Sequence, residues 1–189
     1  MEEIEKAVEI LNKGGIVIFP TDTAFGIGCR IDNKEAIEKL FNTLKRSKDM
    51  AMPVLVDSIE MAQEYLEPIQ ADVQDLMKKY WPGALTVVYP CRFEKVPSLV
   101  RGGGQTLGVR TPNNEIILEI IKKVGVPILG TSANFHGDKT PYEYSDLSPE
   151  LLKLADFVVP GETTIKEQST VIDCSVEPWK VIRQGAIKL

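Results

Sequence analysis

The sequence has few of the residues that build metal sites and reactive dyads. Its 189 residues include a single histidine, His136, and three cysteines that lie far apart and form no C-x-x-C pattern. A zinc site of cysteine and histidine ligands therefore has almost no residues to draw on. An odd number of cysteines in a chain without a signal peptide indicates reduced, buried thiols.

Long hydrophobic runs and an excess of positive charge are also missing. No apolar run approaches the roughly 20 residues that a membrane-spanning helix needs, and the acidic N-terminus lacks the character of a signal peptide. The net charge of -5 disfavours a dedicated nucleic-acid-binding domain but allows a local cationic pocket. We therefore expect a cytoplasmic enzyme or binding protein, with one domain over residues 1–189.

Apolar periodicity and capping residues predict an α/β domain. Helices are predicted at 2–13, after Asn33, after Ser58, at 71–80, after Asn114 and after Ser148. Strands are predicted near 16–19, 53–56, 85–89, 106–110, 127–129, 157–159, 170–173 and 180–182. The strands alternate with helices at first and dominate later, which indicates a twisted mixed β-sheet flanked by helices.

Residues 16–29, IVIFPTDTAFGIGC, form the most informative stretch. The short β-branched run before Pro20 predicts a buried strand, and Pro20 is expected to end its ladder pairing. Thr21, Asp22 and Thr23 then lie at or just past the carboxyl end of the strand, where α/β proteins bind ligands. The alternative is a turn in which these side chains bond their own backbone.

A basic cluster follows the second predicted helix at Lys45, Arg46 and Lys48. The helix dipole favours cations at a helix C-terminus, which explains the cluster without any ligand. The alternative is a phosphate clamp, because arginine forks onto phosphate oxygens and lysine supplies a point charge.

Small polar and cationic residues also stand at the ends of later strands. They occur in the segments RGGGQT (101–106), GTSANFHG (130–137), QSTVID (168–173) and RQG (183–185). The glycines of the first segment form no Walker A loop, since no Gly-Lys-Ser/Thr follows. Hydroxyl, amide and cationic groups at several strand ends, without a nucleophile–base pair, suit a substrate that carries its own charge and nucleophile.

In the order and spacing of its motifs, the chain resembles the YrdC-type L-threonylcarbamoyladenylate synthases. The motifs are PTDTAFGIG, RSKDMAMP, WPGALTVV, LGVRTP, TSANFHG, STVID and IRQG, and the likeness covers about 14–185. It implies a single YrdC-like α/β domain around a cationic concave cavity, in the short form without an added C-terminal domain.

The resemblance also implies a reaction and its partners. L-threonine, bicarbonate and ATP, the last with Mg²⁺, give threonylcarbamoyl-AMP and pyrophosphate. The product is handed to a separate transferase for the t6A modification of tRNA. No membrane is involved.

Site residues are implied motif by motif. Four residues fall on the threonine side: Thr23, Phe25, Arg110 and Ser169. Seven fall on the ATP side: Arg46, Lys48, Thr106, Ser132, Asn134, Thr140 and Arg183. Of these, Arg46 and Lys48 face the phosphates as the catalytic cations, and no protein residue is assigned to a metal.

The chain departs from the family pattern at several positions. The usual Lys-x-Arg pair is replaced by Arg46 and Lys48, Phe25 stands where tyrosine is usual, and Asp57 where longer members often carry histidine. Two alternatives to the synthase stay open. One is a paralogue that adenylates another carbamate-like substrate, such as carbamoyl phosphate. The other is a double-stranded RNA-binding or ribosome-maturation protein, with weak RNA binding.

Overall fold

The computed structural model describes every residue from Met1 to Leu189. It has six α-helices: α1 (Glu2–Asn12), α2 (Lys34–Thr43), α3 (Ile59–Tyr65), α4 (Ala71–Tyr80), α5 (Glu115–Val124) and α6 (Pro149–Leu154). A 3₁₀ helix covers Tyr144–Asp146. None of the helices combines the length and the apolar character that crossing a membrane requires.

Helices α2, α3 and α5 begin at the capping residues that the sequence pattern predicts. The Asn33 side chain accepts a hydrogen bond from the Ala36 N–H at the start of α2, and Ser58 does the same for the Met61 N–H at the start of α3. At the end of α5, Gly125 has φ 76°, a left-handed conformation that glycine adopts readily. Local signals therefore set the helix boundaries.

Ten strands form two mixed sheets. The strands are β1 (Val17–Pro20), β2 (Phe25–Gly28), β3 (Val54–Leu55), β4 (Leu85–Pro90), β5 (Thr106–Arg110), β6 (Ile128–Leu129), β7 (Thr131–Ser132), β8 (Phe157–Val158), β9 (Thr170–Asp173) and β10 (Lys180–Arg183). One sheet has the order β7-β2-β1-β8 and the other the order β10-β9-β4-β5-β3-β6. The predicted α/β architecture with mixed pairing and flanking helices is confirmed, but its strands divide between two sheets.

The sequence pattern misses strands β2 and β7. In β2, glycines interrupt the hydrophobic alternation that would indicate a strand. A Cβ atom at Gly28 would lie only 1.6 Å from the Leu129 carbonyl oxygen, so this glycine allows a close backbone approach. Strand β1 pairs antiparallel with β2, and Pro20, the last residue of β1, lies opposite Phe25. The polar triplet thus forms a hairpin turn just past β1.

The core consists of two hydrophobic clusters that share strand β1. Val17 and Phe19 pack in the smaller cluster with apolar residues of α1 and α5, whereas Ile16 and Ile18 face the larger one. Both faces of β1 are therefore covered, which explains its continuous apolar run. This packing fixes the end of β1, and with it the position of the polar turn.

Candidate active site

One face of the six-stranded sheet forms the floor of a cavity. Thr86 and Val88 of β4, Gly108 and Arg110 of β5, and Val171 of β9 line this cavity. The residues between them along each strand point to the opposite face and belong to the core. The strand period of two therefore separates the cavity face from the buried face.

The cavity has a volume of about 550 Å³ and is walled by both sheets. That volume lies within the range of about 300–1,000 Å³ that is typical of small-molecule sites. Nine of the eleven predicted site residues line it: Thr23, Phe25, Arg46, Thr106, Arg110, Ser132, Thr140, Ser169 and Arg183. The fold thus brings together residues that are far apart in the sequence.

Arg110, the last residue of β5, is held by three different groups. Its Nε donates a hydrogen bond to the Gly83 carbonyl (2.8 Å), its Nη1 to Thr23 Oγ1 (2.7 Å), and its Nη2 to the Asp22 carboxylate. The Arg110 and Asp22 side chains are 7% and 1% exposed, so they form a buried ion pair. Burial lowers the pKa of Arg110, and the nearby Asp22 charge acts in the opposite direction.

The turn before β2 is both a self-bonded turn and part of the cavity wall. The Thr21 hydroxyl donates to the Ala24 carbonyl (2.7 Å) and accepts from the backbone N–H groups of Thr23 and Ala24. Asp22 and Thr23, meanwhile, hold Arg110. The self-bonded turn and the ligand-site interpretation of this triplet are therefore compatible. Thr21 forms the turn, and Asp22 and Thr23 hold a cavity residue.

Arg46 lines the same cavity but has no such partners. It follows α2, is half-buried, and makes no side-chain hydrogen bond or ion pair within the protein; its Nε is buried without an acceptor. Burial lowers its pKa, and no carboxylate offsets that effect. An unpaired, partly desolvated guanidinium is suited to bind an anionic ligand, and phosphate oxygens match its fork of donors.

Ser169 connects the two groups of predicted residues. Its hydroxyl lies 2.9 Å from Thr86 Oγ1 and accepts a hydrogen bond from Arg183 Nη2 (3.0 Å). Arg183 Nη2 and Nε also donate to the Ser169 carbonyl, at 2.9 and 3.1 Å. Ser169, predicted on the threonine side, and Arg183, predicted on the ATP side, are thus in direct contact.

The remaining predicted residues differ in placement. The Thr140 hydroxyl accepts a hydrogen bond from Gln168 Nε2 (2.6 Å) at the cavity wall. Lys48 is exposed and lies outside the set of lining residues. Asn134 also lies outside that set: its Nδ2 donates to the carbonyls of Phe135 and Asp138, which shapes the loop after β7.

Several polar residues at or near the cavity have no role in the motif-based assignment. Thr86, Gln168 and Asp173 line the cavity, and Asp22 lies behind Arg110. The sequence does contain a signal for Thr86, which interrupts the apolar strand LTVVY. A polar residue in an otherwise apolar strand indicates that one face of the strand meets solvent or a ligand. The partners of Asp22 and Gln168 lie in distant segments, so nothing in the sequence indicated them.

The fold and the cavity define an α/β protein with a ligand-sized hollow lined by three guanidinium groups. The sequence model of the Sua5/YciO/YrdC family, which is described as telomere recombination, matches residues 9–185. The chain therefore belongs to the Sua5/YciO/YrdC family.

Individual members of that family are similar over nearly the whole chain. The threonylcarbamoyl-AMP synthase of Bacillus subtilis (strain 168) is 31% identical over 98% of this chain and 54% of its own length. The structure of P. abyssi Sua5 complexed with L-threonine has a TM-score of 0.89 and 31% identity, and the match covers 96% of this chain and 54% of that one. The crystal structure of E. coli YciO has a TM-score of 0.87 and 27% identity, over 96% of this chain and 88% of that one. This chain spans about half the length of the first two relatives.

Proposed function

We propose that the protein is an L-threonylcarbamoyladenylate synthase, which converts L-threonine, bicarbonate and ATP into threonylcarbamoyl-AMP and pyrophosphate. One observation carries the proposal: a single cavity holds a guanidinium fixed by Asp22 at Arg110 and an unpaired one at Arg46. The first suits the carboxylate of an amino acid, and the second suits phosphates. Support also comes from the relative named threonylcarbamoyl-AMP synthase and the relative that binds L-threonine.

In the proposed reaction, the substrates provide the reacting groups. The threonine amine attacks carbon dioxide derived from bicarbonate and loses a proton, which gives a carbamate. A carbamate oxygen then attacks the α-phosphorus of ATP, and the bond to the bridging oxygen breaks as pyrophosphate leaves. The protein has to hold these groups in line and neutralise charge, for which hydroxyls and guanidiniums are sufficient. We propose that Arg46 stabilises charge on the phosphates.

The cavity also fits a magnesium ion that arrives with ATP. Mg²⁺ is usually bound by one or two carboxylates together with substrate phosphates and water. Asp173 is the single carboxylate that lines the cavity, and one of its oxygens accepts hydrogen bonds from the Ser175 N–H and hydroxyl. We propose that Asp173 would hold the ion, which when bound would neutralise phosphate charge.

The fate of the product belongs to the same proposal. Threonylcarbamoyl-AMP is a mixed anhydride, so we propose that it passes to a transferase that modifies tRNA. ATP, amino acids and tRNA are cytoplasmic, which supports a cytoplasmic location.

Mass spectrometry of the reaction product tests the proposed function. The protein is incubated with ATP, Mg²⁺, bicarbonate and L-threonine, and pyrophosphate release is measured in parallel, with each component omitted in turn. We expect a product of the mass of threonylcarbamoyl-AMP, equimolar with pyrophosphate, only in the complete mixture. Carbamoyl phosphate in place of threonine and bicarbonate is the control. Release with that compound alone would identify an adenylating paralogue instead.

A further inference from the structure

The geometry points to Asp22 as a positioning residue that fixes Arg110 for the carboxylate of the amino-acid substrate. This inference rests on the proposed function, because it assumes that Arg110 receives that carboxylate. Asp22 itself does not line the cavity, whereas Arg110 does. Asp22 therefore acts on the substrate through Arg110.

Three anchors from different segments determine the orientation of the Arg110 guanidinium. The anchors are the Gly83 carbonyl, the Thr23 hydroxyl and the Asp22 carboxylate. An arginine has five N–H donors, so one donor on each terminal nitrogen is left for a ligand. Because the protein holds the rest of the fork, a carboxylate would bind without the cost of ordering a mobile side chain.

Asp22 is itself firmly placed. Its carbonyl oxygen accepts hydrogen bonds from the backbone N–H groups of Thr164 (3.2 Å) and Ile165 (2.7 Å), and from the Thr164 hydroxyl (3.3 Å). The second carboxylate oxygen, Oδ2, is buried and has no partner. A buried carboxylate oxygen without a hydrogen-bond partner lowers the stability of the fold. The presence of a carboxylate here therefore favours a functional reason for its charge.

Charge balance gives that reason. Without Asp22, Arg110 would be a buried cation close to Arg183, and both burial and the Arg183 charge lower the pKa of Arg110. The Asp22 charge opposes both effects and stabilises the buried guanidinium cation. Asparagine has nearly the same shape and can still accept from Nη2, but it lacks the charge. Asp22→Asn therefore removes the charge while keeping the shape.

The matched control is a second arginine–aspartate pair outside the cavity. Asp32 pairs with Arg30 through two hydrogen bonds of 2.9 and 2.8 Å, and neither residue lines the cavity. Asp32→Asn therefore removes one carboxylate charge from an arginine partner without touching the proposed site.

The experiment measures the KM for L-threonine, the KM for ATP and kcat in the pyrophosphate assay for both variants. For Asp22→Asn we expect the KM for L-threonine to rise about tenfold or more, because the bond to Arg110 loses its charge, and the KM for ATP to stay within about twofold. Asp32→Asn should match the wild type. A rise in both KM values together, or no rise in either, would overturn the positioning role.

A nuclear magnetic resonance measurement separates this inference from the proposed function, because it does not depend on enzymatic activity. In the wild type, the Nε–H proton of Arg110, bonded to Gly83, should exchange with water at least about tenfold more slowly than that of Arg46, which has no acceptor. In Asp22→Asn the Arg110 proton should exchange faster than in the wild type, because the guanidinium has lost its charged anchor although the Gly83 carbonyl remains. Equal exchange of the two protons in the wild type would contradict the inference. The two measurements can also disagree. If the Arg110 proton exchanges faster in Asp22→Asn and the wild type shows no threonine-dependent activity, the positioning of Arg110 is supported and the synthase function is contradicted.

Discussion

Arg110 and Arg46 line the same cavity but differ in what surrounds their charge. Arg110 has a buried carboxylate beside it and three hydrogen-bond acceptors, whereas Arg46 has none. A compensated, fixed guanidinium favours recognition of one small carboxylate in one orientation. The charge of an unpaired guanidinium has to be neutralised by the ligand, and a polyphosphate can do this. The comparison therefore divides the cavity into an Arg110 end and an Arg46 end.

Removal of each arginine should affect folding very differently. Arg110→Ala leaves Asp22 buried and unpaired, and loss of one partner of a buried pair costs about 3–5 kcal/mol. Arg46→Ala breaks no hydrogen bond or ion pair within the protein, so its free energy of unfolding should change by less than about 0.5 kcal/mol. Chemical denaturation of both variants measures this difference. Equal destabilisation would remove the basis for the two-ended cavity.

The same pair of variants should separate the two substrates. We expect Arg46→Ala to lose about 1.5–3 kcal/mol of interaction with ATP, since it removes charge-assisted hydrogen bonds. This loss corresponds to about 10- to 150-fold in kcat/KM for ATP. Arg46→Lys should recover part of this loss, because lysine keeps the charge but not the fork. The KM for L-threonine should change little. A threonine-specific defect in Arg46→Ala would contradict the assignment of the two ends.

A methyl group added to the cavity floor should weaken binding without unfolding the protein. A Cβ at Gly108 would lie 3.4 Å from Pro53 Cβ and 3.5 Å from Thr86 Cγ2, which are ordinary contacts. Gly108→Ala should therefore fold normally and lose several-fold in ligand affinity, measured by calorimetry. Gly28→Ala is the contrasting variant, because its Cβ would collide with the Leu129 carbonyl and destabilise the fold. Unchanged affinity in Gly108→Ala would show that the ligand does not reach this part of the floor.

The smallest expected difference between the two ends of the cavity is in the salt dependence of ligand binding. Binding of pyrophosphate at the half-exposed Arg46 should weaken as ionic strength rises, because a Debye length of about 10 Å at 0.1 M screens exposed charges. Binding of L-threonine at the buried Arg110 should depend less on salt, since buried pairs are screened less. Calorimetric titrations of both ligands at low and high sodium chloride give the comparison. A steeper salt dependence for L-threonine would reverse the assignment.

Local sequence signals predicted most of the helices and strands. Asn33, Ser58 and Asn114 cap helices as expected, because a cap depends only on residues a few positions away. The missed strands β2 and β7 pair with each other, and β2 is held by a glycine that admits the Leu129 carbonyl. Their positions depend on tertiary contact rather than on alternation.

The sequence predicted part of the membership of the candidate site but not its internal contacts. Nine of the eleven residues that the motifs indicated line the cavity. The pairing of Arg110 with Asp22, 88 residues away, could not be predicted, since no local pattern reports which distant charges meet. The contact between Gln168 and Thr140 was missed for the same reason. Lys48 followed the motif pattern, yet its side chain lies in solvent.

A crystal structure grown with L-threonine and a non-hydrolysable ATP analogue tests the two-ended cavity most directly. We predict that the threonine carboxylate lies within hydrogen-bond distance of the Arg110 guanidinium, with the phosphates against Arg46 in the same cavity. Either ligand bound outside the cavity, or a phosphate on Arg110 and the carboxylate on Arg46, would contradict the account.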